Sequence, residues 1–437
     1  MSGFDLRHEV VELARRLIRL DTSNPPGNET QAAELLAAYL EGAGVECELV
    51  GPDPARLNLI ARVSGSGDGP SLMLLAHTDV VPAPPEGWSV GPFDGAVRDG
   101  RLIGRGAVDM KNELAARVVA LAALAQNGAS PAGDVVLVAE ADEEGNRAGV
   151  GMSWLVRERP DVRCDCALNE GGGSLLELAD GRRLVTVSVG EKQVTALRLR
   201  VFGRGGHASV PTAADNPLRH LAAAIERLLI APGPTRRVAA VDRALAILGV
   251  EDPTDSEAIA GAAALHPLLV DLLPAMTRMT VTPTGVRSLE PANVIPPFAD
   301  VVCDVRALPG QSEADVRAHV DNTLGSEFEY EIDFVEPLQG GTESPIDTPL
   351  YRLLAEYVAE HVPGAELLPM ISTGFTDSHW IRTAFETAAY GFAPVFSDDP
   401  RAYSAAAHAD DESLSVLDLA EMAEFHLHAV SALGHGR

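Results

Sequence analysis

Leu72-Met73-Leu74-Leu75-Ala76-His77-Thr78-Asp79-Val80-Val81 is the stretch from which the rest of the chain can be read. A run that short and that apolar suits a strand buried on both faces of a parallel sheet. Two polar residues close it, and open α/β sheets place their ligands at the carboxyl ends of strands. In extended chain, positions i and i+2 point the same way, which puts Asp79 behind the His77 imidazole. A carboxylate there fixes the tautomer and leaves the other ring nitrogen for a metal. A hydrogen-bonded histidine at a strand end is the plainer alternative, and the stretch alone does not choose between them.

On either side of it, short apolar runs at 45–50 and 57–63 and helical patterns at 5–20 and 30–42 precede, and a helix at 113–126 follows. Strands at 134–139 and from Cys164 to Leu168 come next, and the alternation of strands with helices predicts a mostly parallel α/β sheet. From about 192 the texture changes. Half-exposed strand patterns at 194–202, 278–286, 300–307 and 329–335, with helices near 216–230 and 311–323, predict an α+β sandwich. Residues 231–276, with Pro- and Gly-containing turns between helical stretches, read as an insertion within it. After about 338 the α/β texture returns. The expected organisation is a larger α/β domain over 1–191 and 338–437, with a smaller domain inserted over 192–337.

At 437 residues the chain is too long for one ordinary core. Sixty-three acids against 34 bases give a net charge of −29, which argues against nucleic acid or an anionic membrane as partner. No apolar run reaches the length of a membrane span, and the opening residues read straight into an amphipathic helix without the parts of a signal peptide. Cys47, Cys164, Cys166 and Cys303 are too few for a disulfide framework, so a reducing compartment, the cytoplasm, is expected.

The carboxyl ends of the predicted strands, with the loops after them, collect His77, Asp79, Asp109, Glu143, Glu144 and Glu170, and His408 joins them from late in the chain. Carboxylates that close repel one another without a cation. Mixed nitrogen and oxygen donors suit zinc, with cobalt or manganese as substitutes. Five ligands with one shared carboxylate would hold two ions ~3.5–4 Å apart, a hydrolytic arrangement. Singly, each residue has a plainer role: Asp109 as a helix cap, Glu143 and Glu144 as a solvated pair.

In order, the motifs are Ala76-His77-Thr78-Asp79-Val80, Gly104-Arg105-Gly106-Ala107-Val108-Asp109-Met110-Lys111, Asp142-Glu143-Glu144-Gly145, Asn169-Glu170-Gly171, Gly205-Gly206-His207-Ala208-Ser209, Asn293-Val294-Ile295-Pro296 and Ala407-His408-Ala409-Asp410-Asp411-Glu412. Over nearly its whole length the chain resembles the dizinc aminoacylase/carboxypeptidase family, which includes acetylornithine deacetylase, succinyl-diaminopimelate desuccinylase and glutamate carboxypeptidase. The resemblance implies two zinc ions per subunit. Asp109 would bridge them, His77 and Glu170 would complete one site, and Glu144 and His408 the other. Asp79 would orient His77, and Glu143 would be the general base acting on a metal-bridging water. His207 would donate to the oxyanion of the tetrahedral intermediate, commonly in a partner subunit's site, which implies a homodimer through the inserted domain. Asn293 and Arg306 resemble polar contacts to the substrate, Arg306 gripping a carboxylate. Gly374 belongs to a stretch resembling the substrate loop, with Phe375 where a second glycine is frequent. The expected activity is cleavage of the amide bond of an N-acyl-amino acid or small peptide with a free carboxylate. A carboxypeptidase or dipeptidase is the alternative, ahead of a non-catalytic binding protein or a two-metal phosphoesterase, which usually recruits more Lys and Arg.

Overall fold

The structure, a computed structural model, describes residues 5–128, 130–145, 149–288 and 291–434. Residues 1–4, with which the expected opening segment begins, lie outside the described residues. Leu72–His77 is a strand with all six residues buried, parallel to Val135–Glu140 on one side and to Cys166–Asn169 on the other. Its side chains alternate between two cores. Leu72, Leu74 and Ala76 face the larger one, with apolar residues of helices Leu6–Ile18, Thr30–Gly42, Lys111–Gln126 and Val416–Ala432. Met73 and Leu75 face a smaller one with Met152, Leu155, Ile381 and Phe385. Burial on both faces is what the unbroken apolar run required.

The sheet runs in the order Glu46–Val50, Asn58–Val63, Val135–Glu140, Leu72–His77, Cys166–Asn169, Ala388–Gly391, Arg183–Glu191, Ala365–Ser372, with Leu175–Glu177 paired to Arg183–Glu191. Its four middle strands are mutually parallel, so their carboxyl ends share one edge. Ala365–Ser372 holds Pro369, which an outermost strand tolerates because one side needs no ladder donor.

A second, antiparallel sheet is built from Thr280–Arg287, Phe298–Ala307, Gln193–Phe202 and Tyr330–Phe334, with Gln339–Gly340 on its path back. Gln193–Phe202 buries alternate residues, and helices Pro217–Ile230 and Glu313–Leu324 cover the apolar face through Leu221, Leu228, Val316 and Val320. The chain passes from one sheet to the other at Lys192. Buried Glu191 accepts from the Thr342 amide at 2.8 Å and its hydroxyl at 2.6 Å, so outgoing and returning segments are tied together.

The segment 231–276 differs from its reading as part of the inserted sandwich. Its helices Ala239–Ile247, Ser256–Ala263 and Pro267–Thr277 bury Val241, Leu245, Ile259, Leu269 and Leu273 in the larger core of the parallel sheet. The apolar faces of these helices find their partner beside Ala365–Ser372, far along the chain, which local patterning does not encode.

Candidate metal centre and catalytic site

His77 closes its strand with its ring held from both nitrogens. Nδ1 lies 3.0 Å from the Asp79 carbonyl oxygen and 3.5 Å from Asp79 Oδ1. Nε2 lies 3.0 Å from Asp109 Oδ1 and 3.7 Å from Glu170 Oε2. The other oxygen of Asp109 faces the opposite way, 3.2 Å from His408 Nε2, which is 3.1 Å from Glu144 Oε1. Two donor triads result, His77–Asp109–Glu170 and Asp109–Glu144–His408, each with donor atoms within 4.8 Å of one another, and Asp109 belongs to both.

Asp79 does more than the i, i+2 spacing suggested. Its nearest contact to the imidazole is through its backbone, and its buried carboxylate accepts from the amides of Glu143 at 3.2 Å and Glu144 at 3.1 Å. The buried Asn24 amide adds a third bond to it, at 2.9 Å. One carboxylate therefore fixes the turn that carries both glutamates.

The electrostatics call for cations. Burial and neighbouring Glu170 push the Glu143 carboxyl well above its usual range, and burial raises Glu144 against the opposing pull of His408. Burial opposes protonation of His77, yet Asp109, Asp79 and Glu170 together raise its pKa well above normal, and hydrogen bonds that the His408 ring donates to Asp109 and Glu144 bring it to about 10. Oxygen and imidazole donors in two triads sharing a carboxylate fit a pair of divalent ions.

The cluster lines a cavity of about 840 Å³. Glu143, Arg306, Gly374 and Phe375 line it too, so the inserted sandwich and the loop after Ser372 meet over the acids. Arg306 forms a fork to Asp304, at 2.9 and 3.0 Å. His207 and Asn293 are elsewhere. They are exposed neighbours on the sandwich, joined where the Ala208 amide donates to the Asn293 carbonyl at 3.0 Å, and neither lines this cavity. His207 Nδ1 faces the hydroxyl of Ser209 at 2.8 Å. In this conformation, the chain brings together its metal-ligand candidates, Glu143, Arg306 and Gly374, but not His207 or Asn293.

A family model described as peptidase family M20/M25/M40 matches residues 73–432. The chain belongs to this family. Its relatives include succinyl-diaminopimelate desuccinylase of Rhodospirillum centenum, 34% identical over 51% of this chain and 57% of the relative. Another is the human N-fatty-acyl-amino acid synthase/hydrolase PM20D1, 31% identical over 76% of this chain and 68% of the relative. The match spans just over half the length of the desuccinylases. Among solved structures, the M20 family metallo-carboxypeptidase Sso-CP2 of Sulfolobus solfataricus superposes with a TM-score of 0.72 at 19% identity, covering 98% of this chain and 99% of that one. The fold is thus the M20 fold.

Residues without an assigned role complete this M20 site. Buried Glu412 accepts from the amides of Gly106, Val108 and Asp109 at 3.0, 2.6 and 3.0 Å and from Arg105 at 2.7 Å. Arg105 in turn donates to the carbonyls of His408 and Ala409, so the pair binds together the two loops carrying Asp109 and His408. Arg117, fully buried, donates to the carbonyls of Leu75 and Asn169 and to Glu113, holding the strand ends that precede His77 and Glu170. Charges four apart inside an alanine-rich helix are the sequence signal for the Glu113–Arg117 pair, since such a helix has no other use for buried charge.

Proposed function

We propose that this protein is a metal-dependent amidohydrolase that cleaves the amide bond of an N-acyl-amino acid or small peptide carrying a free carboxylate. The observation that carries the reading is the pair of donor triads sharing Asp109, with Glu143 beside them in the same cavity. Zinc suits the donor set, and cobalt or manganese are chemically acceptable substitutes. When bound, two such ions would polarise the scissile carbonyl and acidify water. Glu143 takes the proton from water as its oxygen bonds to the carbonyl carbon, then gives that proton to the amine nitrogen as the carbon–nitrogen bond breaks. Asp79 holds Glu143 in place through its amide, and Arg306 offers the substrate carboxylate its remaining donors.

His207 is assigned to the oxyanion of the tetrahedral intermediate. Its distance from the cavity of its own chain supports a homodimer in which it serves the partner's site. Metal-reconstituted protein assayed against N-acyl-amino acids and dipeptides tests the reading. Release of free amine that Glu143→Gln reduces by ~10²–10⁴-fold, with metal content retained, is the expected outcome. Hydrolysis unaffected by Glu143→Gln would overturn it. Cleavage confined to dipeptides would make the protein a peptidase instead.

A further inference from the structure

Asn24 reaches the site from the loop between helices Leu6–Ile18 and Thr30–Gly42. Backbone bonds lay this loop along the chain just past strand Leu72–His77: the Val80 amide donates to the Thr22 carbonyl at 3.2 Å, and the Asn24 amide to the Val80 carbonyl at 2.9 Å. The Asn24 side-chain nitrogen then bridges two buried carboxylates, 2.9 Å from Asp79 Oδ2 and 3.0 Å from Asp142 Oδ1. Arg56 Nη2 donates to the same Asp142 oxygen at 3.1 Å. Arg56 is itself held, its Nε donating to both oxygens of fully buried Glu29 at 2.9 and 3.1 Å.

Asp142 needs holding. Its φ is +70°, in the left-handed region that residues with a side chain seldom adopt. Such a conformation persists where the surroundings over-determine it. Glu143 is the next residue along the chain. The space around the turn is closed as well: a Cβ on Gly145 would lie 2.6 Å from Asn24 Nδ2, and one on Gly27 would lie 2.3 Å from Arg56 Nε. A buried guanidinium between two carboxylates adds little stability over apolar packing. What Arg56 supplies here is a fixed direction for Asp142. Neither Arg56 nor Asn24 lines the cavity, so both act through the turn and not on a ligand.

We propose that Asn24 and Arg56 are positioning residues for the general base: they hold Asp142 in its left-handed conformation and thereby aim Glu143 into the cavity. The proposal rests on the amidohydrolase reading above, in which Glu143 is that base. Glu144 stands on the same turn, so aim has to be measured apart from metal occupancy.

The test combines kinetics with hydrogen exchange on the metal-loaded protein. Asn24→Ala should lower kcat about ten- to a hundredfold at saturating metal, as small misplacements of a reacting group do, with KM nearly unchanged and ion content equal to wild type. Arg56→Lys, which keeps the charge but loses the fork, should fall between wild type and Asn24→Ala. Amides of residues 142–145 should exchange faster in Asn24→Ala, while those of strand Val135–Glu140 keep their protection. In a Glu143→Gln background, Asn24→Ala should cause no further loss, because no base is left to aim. Should Asn24→Ala fail to fold, Arg56→Lys gives the same readouts at smaller amplitude. A wild-type kcat, unchanged exchange in the turn, or a loss that persists in full in the Glu143→Gln background would overturn the proposal and leave the amidohydrolase reading standing. Hydrolysis unaffected by Glu143→Gln alone would overturn that reading itself.

Discussion

The edge of the parallel sheet and the rim of the inserted sandwich both carry expected site residues, but they are built differently. At the sheet edge, buried charges are paired in depth: Asp79 with two amides and Asn24, Glu412 with three amides and Arg105, Arg117 with two strand-end carbonyls. On the rim, His207 and Asn293 are exposed and touch mainly one another's loops. A buried charge left unpaired costs several kcal/mol, so the sheet edge holds one geometry. The rim has no such penalty and can present its groups to a moving or second body. The contrast separates an internally braced candidate metal cradle from exposed groups that, on the proposed reading, would be delivered to it.

The largest expected effect breaks the cradle at its shared residue. Asp109→Asn removes the carboxylate common to both triads, and elemental analysis after dialysis should show both ions lost and turnover at background. Retention of one tightly held ion would show that the triads are independent. Next comes the rim. His207→Ala should lower kcat by ~10²–10³ with metal content intact, as for loss of one oxyanion donor. Mixing it with Glu143→Gln should restore activity if the group is delivered in trans. A normal kcat for His207→Ala would remove the rim from the chemistry.

The same contrast explains what the sequence revealed. Asp109 and His408 follow no apolar strand and were legible through the motifs around them, whereas His77, Glu143, Glu144 and Glu170 were legible because buried apolar strands deliver them to one edge. Leu268 and Leu272, which also line the cavity, were not, because the helix that holds them is recognised only through its packing on a strand a hundred residues later. The strands Ala365–Ser372 and Ala388–Gly391 escaped for local reasons: Pro369 interrupts one, and the Ala-Ala-Tyr-Gly composition of the other has no strand signature. Glu412 lay inside a quoted motif, yet its three amide contacts depend on a loop three hundred residues away.

Asp79→Ala tests how the cradle's depth is shared. Metal affinity should fall by ~10–100-fold, the usual cost of losing a group behind a ligand. Because the same carboxylate pins the amides of Glu143 and Glu144, saturating metal should restore occupancy without restoring full turnover. Complete recovery at high metal would confine Asp79 to orienting His77.

The smallest effect probes the junction between the two regions. Lys192 is buried, and desolvation together with nearby Arg306 lowers its pKa from 10.5 to about 7, against the pull of Asp304. A neutral amine still has two hydrogens, enough for the carbonyls of Ala275 and Arg278. The unfolded chain keeps its proton up to about 10.5, so between about 7 and 10.5 the unfolded state binds more protons. Lys192 therefore adds stability as pH rises through that window, and works against folding below it. Denaturant titrations across the window should show this rise in the wild type and a flatter profile in Lys192→Met. An identical slope in both would mean that the junction lysine is charged at its carbonyls, a salt-free anchor at the helix end rather than a desolvated amine. In either case helix Pro267–Thr277 and the strand carrying Arg306 share Lys192 as a neighbour, and this tie stands beside that of Glu191 with Thr342 at the junction of the two sheets.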